Sequence, residues 1–339
     1  MNILIIRLSS IGDIVHLLPS IHLLRQNFLD ANISWVVCNK AYELLENNNL
    51  VNDVYRLSNN FPKSIYKDYN TLRKISNIKW DIIIDYHNYL KTIILRFFLS
   101  GPIYTFPYDN CCYFEQKLGY YLANYTCNKF NDQNKVLKNI YLTRFVIKKN
   151  SQLLKNDLNL NDFRFNSDSN KAINWIKLNN LDSFITLCVN CSGKSRMWNK
   201  NNWVKLIKKL KKKNFKIVLL GSDYSDDGIF IKNKFRYDEK IYISPLLTLK
   251  ESCDILKKTK LYIGVDSCIL HIANYLSVKT LGLFGPTCAK YNGLYYSNFN
   301  YLQKNSTADF YNHKNLKDLN CINTISVTDV YNKIIDLII

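Results

Sequence analysis

The sequence has few of the residues that break regular structure and few acidic side chains. Its 339 residues include only 10 Gly and 6 Pro, too few for a disordered or fibrous chain. Asp and Glu number 27 against 46 Lys and Arg, which leaves a formal charge of +19. That balance favours a polyanionic partner: a nucleic acid, an anionic membrane surface or a phosphorylated substrate. The length and the hydrophobic fraction of 47% suit two domains with sizeable cores.

Long apolar runs and paired cysteines are also missing. Arg7 and Asp13 interrupt the first apolar stretch, and Arg96 interrupts the strongest later one, so neither predicts a signal peptide or a membrane-spanning helix. Of the ten cysteines, only Cys188 and Cys191 form a CxxC, without the second pair that a zinc site needs. We therefore expect a cytoplasmic protein of a reducing compartment with no bound metal.

Short β-rich runs alternate with amphipathic stretches in both halves of the chain, which predicts right-handed βαβ units and parallel sheets. The polar stretch at 150–170 predicts a linker. We expect two doubly wound, Rossmann-like α/β domains, over 1–160 and 161–325, facing each other across a ligand-binding cleft. A final amphipathic helix in 326–339 could pack back on the first domain. The predicted strands lie at 2–7, 33–38, 81–85, 103–106, 184–189, 215–221, 261–265 and 279–284.

A candidate anion site follows the predicted strand at 261–265. Asp266 and Ser267 form the turn, and a helix begins with His271 in its first turn. The free amides and positive dipole end of a helix N-terminus suit a phosphate. A carboxylate beside that phosphate would accept hydrogen bonds from sugar hydroxyls. Alternatively, Asp266 or Ser267 only caps the helix.

Two further loops in the second half carry polar groups that suit a nucleotide. The segment CSGKSR offers small residues, hydroxyls and cations for a diphosphate, although it lacks the GxxxxGK[ST] pattern of a P-loop. Asp223 follows another strand, where a carboxylate can bond ribose hydroxyls. The candidate residues of the first of these loops are Ser192, Gly193, Lys194 and Arg196.

The first strand–turn–helix, IIRLSSIGDIVHLLPS, lacks the glycine pattern that dinucleotide-binding turns carry. Asp13 lies where a bound phosphate would need backbone amides. We therefore expect that this turn does not bind a phosphate. The residues alone leave the role of Asp13 open.

These segments together resemble the family 9 glycosyltransferases, the lipopolysaccharide heptosyltransferases. ILIIRLSSIGDIVHLLPSI is similar to the family's start, and DIIIDYHNYLKTIILRFF to its D-x-Q-G-x-x-K-S segment. SRMWNKNNWVKLIKKL resembles the K-x-W loop and helix, and GVDSCILHIA the D-T/S-G-x-x-H motif. LFGPT resembles the family's [YF]-G-P-T motif, and CINTISVTDVYNKI resembles its C-terminal C-x-x-x-I segment. The chain departs from the pattern at Cys268 for Gly, Arg196 for Lys, and His87-Asn88 for Gln-Gly.

The resemblance implies a GT-B fold and inverting transfer of heptose from ADP-heptose to the Kdo/heptose inner core of lipopolysaccharide. It implies Asp13 as general base, with a helix cap as the alternative role, and burial is expected to raise its pKa and so make it a better base. It also implies acceptor contacts from Arg7, Ser10 and Lys91. It also implies no cofactor, an anionic glycolipid as acceptor and peripheral contact with the inner face of the inner membrane. The donor-binding residues it implies are Ser192, Gly193, Lys194, Arg196, Asp223, Asp266, Ser267, Cys268 and His271.

Three alternatives remain. One is a transferase of the same fold that uses another nucleotide sugar or another acceptor. A nicotinamide oxidoreductase would share the βαβ alternation, but the first turn lacks its glycines. A non-enzymatic nucleic-acid binder would use the positive charge, but the 24 Tyr and 17 Phe are scattered rather than interleaved with basic residues on one face. We therefore expect no nucleic-acid partner.

Overall fold

The computed structural model describes residues 1–111, 113–131, 134–151, 165, 169–221, 223, 225–293, 299–304 and 321–338. The chain divides into two compact units, Met1–Phe165 and Asn166–Ile339. In the described residues, each unit contains one parallel six-stranded sheet flanked by helices. Most of the predicted linker, residues 152–164 and 166–168, lies outside the described part of the chain.

The first unit is built around central strands whose residues are buried on both faces, as a parallel sheet covered by helices requires. Its strands are β1 (Asn2–Ile6), β2 (Asn32–Cys38), β3 (Asp53–Leu57), β4 (Ile82–Asp85), β5 (Ile103–Thr105) and β6 (Tyr125–Thr126). Its helices are α1 (Ile11–Asn27), α2 (Asn39–Leu45), α3 (Tyr69–Ser76), α4 (Leu90–Arg96), α5 (Phe114–Tyr121) and α6 (Lys135–Asn150).

The second unit repeats the plan. Its strands are β7 (Ile185–Cys188), β8 (Ile217–Leu219), β9 (Ile241–Ile243), β10 (Leu261–Val265), β11 (Thr280–Phe284) and β12 (Phe299–Gln303). Its helices are α7 (Lys171–Leu178), α8 (Lys200–Lys212), α9 (Asp226–Lys234), α10 (Leu249–Lys258), α11 (Cys268–Tyr275), α12 (Ala289–Asn292) and α13 (Val327–Ile338). No helix in the described ranges is long and apolar enough to cross a bilayer.

Both sheets have the Rossmann strand order. The first runs β3-β2-β1-β4-β5-β6 and the second β12-β11-β10-β7-β8-β9, with every pairing parallel. The order reverses between β1 and β4 in one unit and between β7 and β10 in the other. Loops at the carboxyl ends of those strands form the switch points where such sheets bind ligands. The prediction of two Rossmann-like sheets is confirmed.

The eight predicted strands are all present, and the four strands that the sequence did not reveal are the four sheet edges: β3, β6, β9 and β12. An edge strand has a neighbour on one side only and buries fewer side chains, so its apolar pattern is weak. β3, for example, has only its last residue, Leu57, fully buried.

The apolar face of α13 is buried in the second unit. Val330 and Ile334 belong to the core that also contains Trp203 and Leu206 of α8, and the Trp198 indole donates a hydrogen bond to the Ile325 carbonyl. The expectation that the final helix also packs back on the first domain stays a prediction.

Candidate active site

In the first unit, Asp13 is held by charges from two different segments. The Arg7 guanidinium, just after β1, lies 2.9 Å from its Oδ2 atom, and Lys135 at the start of α6 lies 3.0 Å from its Oδ1 atom. Oδ2 also accepts hydrogen bonds from the backbone amide and hydroxyl of Ser10. With 18% of its side chain exposed, the carboxylate is enclosed but still accessible to a substrate.

Asp13 therefore does contribute to helix capping, as the N3 partner of Ser10 in a capping box. The expected rise of its pKa is wrong. Burial alone would raise the pKa of this carboxyl, but the charges of Lys135, Arg7 and His16, with the hydrogen bond from Lys135, together hold it well below its usual range. In this state Asp13 is an anion with low basicity.

Lys91 adds a third cation beside the same turn. It is the second residue of α4, and its Nζ atom donates to the Ser9 hydroxyl across 3.0 Å. Arg7 is fixed from the other side by a 2.6 Å hydrogen bond to the Tyr86 carbonyl. The structure thus brings the predicted acceptor residues Arg7, Ser10 and Lys91 together around Asp13 at the switch point of the sheet.

The loop after β4 contributes His87, which the sequence had marked only as a departure from a family pattern. Its Nδ1 atom accepts a hydrogen bond from the Leu8 amide at 3.3 Å, which leaves the other ring nitrogen as the donor. Burial, together with the charges of Arg7 and Lys91, lowers the pKa of His87 well below its usual range. The imidazole is therefore neutral near pH 7.

A buried ion pair holds that loop in place. The Asp85 carboxylate accepts from the backbone amides of His87 and Asn88 and lies 2.7 Å from the Arg96 guanidinium. Arg96 also donates to the Asn88 side chain. Asn88 has a φ of +50°, a left-handed conformation that suits Gly or Asn, which explains how Asn replaces the family's Gly there.

In the second unit, Asp266 lies at the end of β10, buried and paired. Its Oδ1 atom is 3.1 Å from Nε2 of His271, and its Oδ2 atom is 3.3 Å from the Arg196 guanidinium. Burial would raise the pKa of Asp266, but His271 and Arg196 hold it well below its usual range. Ser267 rather than Asp266 is the cap of α11, with its hydroxyl facing the Leu270 amide at 3.5 Å.

Arg196 ties the loop after β7 to the loop after β10. It donates to the Asp266 carbonyl across 3.0 Å and to the Ser192 hydroxyl across 3.0 Å. A Cβ atom on Gly193 would lie only 3.0 Å from the Arg196 Nε atom, so glycine lets this side chain approach the loop. Lys194, in the same loop, is exposed. Since β7 and β10 are neighbours, both loops lie at one switch point.

Cys268 and Asp223 complete the predicted set. Cys268 is the first residue of α11 and is partly exposed. Burial and the nearby Cys188 raise its pKa to about 11, so its thiol is neutral. Asp223 follows β8, the strand beside β7, and its carboxylate forms an ion pair with Lys232. Among the described residues, Asp223 has no contact with the Arg196–Asp266 group.

The sequence did not single out several residues that shape these sites. Lys135 lies 122 positions from its partner Asp13, and nothing local marks it. Asn190 bonds both the Gly221 carbonyl and the Ser225 hydroxyl, which links the loops after β7 and β8. No group of three or more His, Cys, Asp or Glu side chains able to hold a metal ion occurs in the described ranges.

Comparison with solved structures identifies the fold. E. coli heptosyltransferase WaaC with ADP aligns with a TM-score of 0.77 and 17% identity, covering 99% of this chain and all of the other. E. coli ADP-heptose lps heptosyltransferase II aligns with a TM-score of 0.74 and 15% identity, covering 100% and 98%. This fold, with a polar site at the switch point of each sheet, is that of a GT-B glycosyltransferase.

Sequence comparison then identifies the family. Residues 69–320 match Glycosyltransferase family 9 (heptosyltransferase). The chain is 24% identical to lipopolysaccharide heptosyltransferase 1 of Campylobacter coli, over 97% of each protein. The chain belongs to glycosyltransferase family 9, and the predicted family is confirmed.

Proposed function

We propose that this enzyme transfers heptose from ADP-heptose to the Kdo/heptose inner core of lipopolysaccharide, with inversion at the anomeric carbon and Asp13 as general base. Membership of family 9 supports the reaction class. The donor is suggested by solved relatives described with ADP and with ADP-2-deoxy-2-fluoro heptose. The acceptor is suggested by the Campylobacter coli relative's name.

The observation that carries the proposal is the placement of Asp13. Its carboxylate is partly exposed at the switch point of the first sheet, with Arg7 and Lys135 within 3.0 Å. In the proposed step, an acceptor hydroxyl attacks the anomeric carbon as the bond from that carbon to the diphosphate oxygen breaks. The hydroxyl proton passes to Asp13. The products are the glycosylated acceptor and ADP.

The two cations that pair with Asp13 are proposed to make its pKa depend on whether the acceptor is bound. Without the acceptor, the paired carboxylate is a weak base because its pKa is held low. The acceptor carries carboxylate and phosphate groups, which compete for Arg7, Lys135 and Lys91. When those anions draw the cations away, the pKa of Asp13 rises, and it becomes a base while the acceptor is bound.

The donor is proposed to bind the second unit. Arg196, Lys194 and the Ser192 hydroxyl would meet the diphosphate, with the amides at Ser267–Cys268. Asp266 would accept hydrogen bonds from sugar hydroxyls, with its charge state fixed by His271 and Arg196. Asp223 would bond the ribose, after exchanging its Lys232 partner for a hydroxyl.

The test is a transfer assay with purified enzyme that measures ADP release and glycolipid mass. Acceptors with Kdo alone and with one heptose are compared, each with ADP-heptose, another ADP-sugar and a UDP-sugar. We expect product from ADP-heptose only. Efficient transfer from another nucleotide sugar would assign this chain to a different donor on the same fold, and transfer to neither acceptor would refute the proposed acceptor.

A further inference from the structure

Helix α5 in the first unit turns its apolar side outward. Phe114, Leu118, Tyr121 and Leu122 are all exposed, with Phe114 at 81% and Tyr121 at 71%. Their spacing of i, i+4, i+7 and i+8 places them on one face of the helix. Of the described residues of α5, only Gly119 is buried. An ordinary surface helix buries its apolar stripe, whereas α5 leaves its apolar stripe exposed to solvent.

The two ends of the neighbouring helix α4 also expose large apolar side chains, although the helix buries its own Ile93 and Leu95. Leu90 begins α4, Phe97 and Phe98 follow its last residue, and all three are exposed, with Phe97 at 75%. The two helices pack together through small and polar groups. The Leu90 amide donates to the Glu115 carboxylate, and the Arg96 guanidinium donates to the Gly119 carbonyl. Two neighbouring helices therefore both expose large apolar side chains. We call these seven residues the α4–α5 patch.

A cluster of tyrosines that includes Tyr121 of the patch, together with Lys117, lies at the border of the patch. Tyr108, Tyr120 and Tyr121 form a cluster with ring centroids 5.2–5.9 Å apart. The Lys117 ammonium lies 4.8 Å from the Tyr108 ring centroid. Aromatic rings with a polar end and lysines with long apolar stems are the side chains that favour a membrane–water interface.

We propose that the α4–α5 patch docks this enzyme on the surface of an anionic phospholipid bilayer. A contiguous exposed apolar surface of this kind marks an interaction site. Lys117 at the border of the patch and the chain's charge of +19 complement anionic lipid headgroups. The same charge opposes pairing with a second copy of this chain.

The position of the patch fits this partner. Leu90 directly precedes Lys91, which contacts the Ser9–Ser10 turn that holds Asp13. The patch is thus continuous with the proposed acceptor site, and the lipid part of a membrane-bound acceptor would lie beside it. This argument rests on the proposed function, but the binding itself does not require catalysis.

The test is flotation of the purified protein with vesicles of phosphatidylglycerol and phosphatidylethanolamine. The variant Phe97→Ser/Phe114→Ser/Tyr121→Ser is compared with the control Leu178→Ser/Leu246→Ser/Tyr237→Ser, which removes exposed apolar side chains from the second unit. We expect the patch variant to lose at least about tenfold in partition coefficient, and the control to float like the wild type.

Transfer assays separate docking from chemistry. The patch variant is expected to keep wild-type kcat and KM on a water-soluble acceptor without acyl chains, and to lose efficiency on an acylated acceptor in vesicles. Equal flotation of wild type and patch variant would overturn the proposal. So would a wild-type dimer in sedimentation that the patch substitutions dissociate, without vesicle binding. Flotation without any heptose transfer would instead refute the proposed function and leave the docking surface standing.

Discussion

The Nζ atom of Lys135 lies 3.0 Å from the Oδ1 atom of Asp13, although one residue begins α6 and the other lies in the first turn of α1. Helices α1 and α6 pack against each other along the first sheet, and this packing brings the cation to the carboxylate. Together with Arg7 and His16, Lys135 holds the pKa of Asp13 well below its usual range.

Replacing Asp13 with Asn is expected to abolish most transfer while leaving the fold and ADP binding intact. The amide keeps the shape and can still accept from Ser10, but it cannot take the hydroxyl proton. We expect kcat to fall by about 10²–10⁴, measured as ADP release, with unchanged ADP affinity by calorimetry. Asp109→Asn, at an exposed ion pair, is the control. Wild-type turnover in Asp13→Asn would rule out the general-base role.

Removing the Lys135 cation is expected to raise the pKa of Asp13. Because the base must be deprotonated, a higher pKa moves the acidic limb of the kcat/KM profile toward neutral pH. Lys149→Ala, on the same helix but stacked over Tyr125, should leave the profile unchanged. An unaltered acidic limb in Lys135→Ala would show that this ion pair does not set the basicity of Asp13.

Substitution of Arg196 tests the donor site. Arg196→Ala removes the group that joins Ser192 to Asp266 and is expected to weaken ADP binding by about 10- to 100-fold. Arg196→Lys keeps the positive charge but not the planar guanidinium with its several donors, so its loss of ADP affinity should be intermediate. Arg236→Ala, an arginine beside Tyr237, is the control in the calorimetric titrations. Unchanged ADP affinity in Arg196→Ala would place the diphosphate elsewhere.

The buried Asp85–Arg96 pair predicts a stability effect. Arg96→Ala leaves a buried carboxylate without its cation and is expected to lower the free energy of unfolding by about 3–5 kcal/mol. Lys129→Ala removes an exposed partner of Asp109 and should cost about 0–1 kcal/mol. Urea unfolding followed by circular dichroism measures both. A loss in Arg96→Ala no larger than in the control would contradict a bracing role.

His87 predicts how stability depends on pH. Its pKa in the folded protein lies below the usual 6.5, so the unfolded chain binds this proton more readily. The group therefore costs no stability above pH 6.5 and destabilises the fold progressively as the pH falls below that value. His87→Gln should remove this contribution, so the wild type should lose more stability than the variant between pH 8 and pH 5.5. Parallel curves from urea unfolding would contradict a depressed pKa.

The central strands and the order of the motifs could be predicted from the sequence, because buried parallel strands are continuous apolar runs. The residues at their ends, such as Asp13 and Asp266, were recognisable because a polar group after such a run lies at the binding edge of the sheet. The edge strands β3, β6, β9 and β12 were not recognisable, since they are short or interrupted by polar residues and most of their residues are only partly buried.

The sequence by itself determined the fold class, the family and most of the candidate site residues, since these depend on local patterns and their order. Only the tertiary structure decided which charges surround Asp13, and it reversed the expected direction of that pKa. Arg7 is a sequence neighbour of Asp13, but Lys135 reaches the same carboxylate from 122 positions away, and no local pattern encodes that contact. Likewise, only the structure shows that α5 packs on α4 through Gly119 and Glu115 and leaves Phe114 and Tyr121 on the surface.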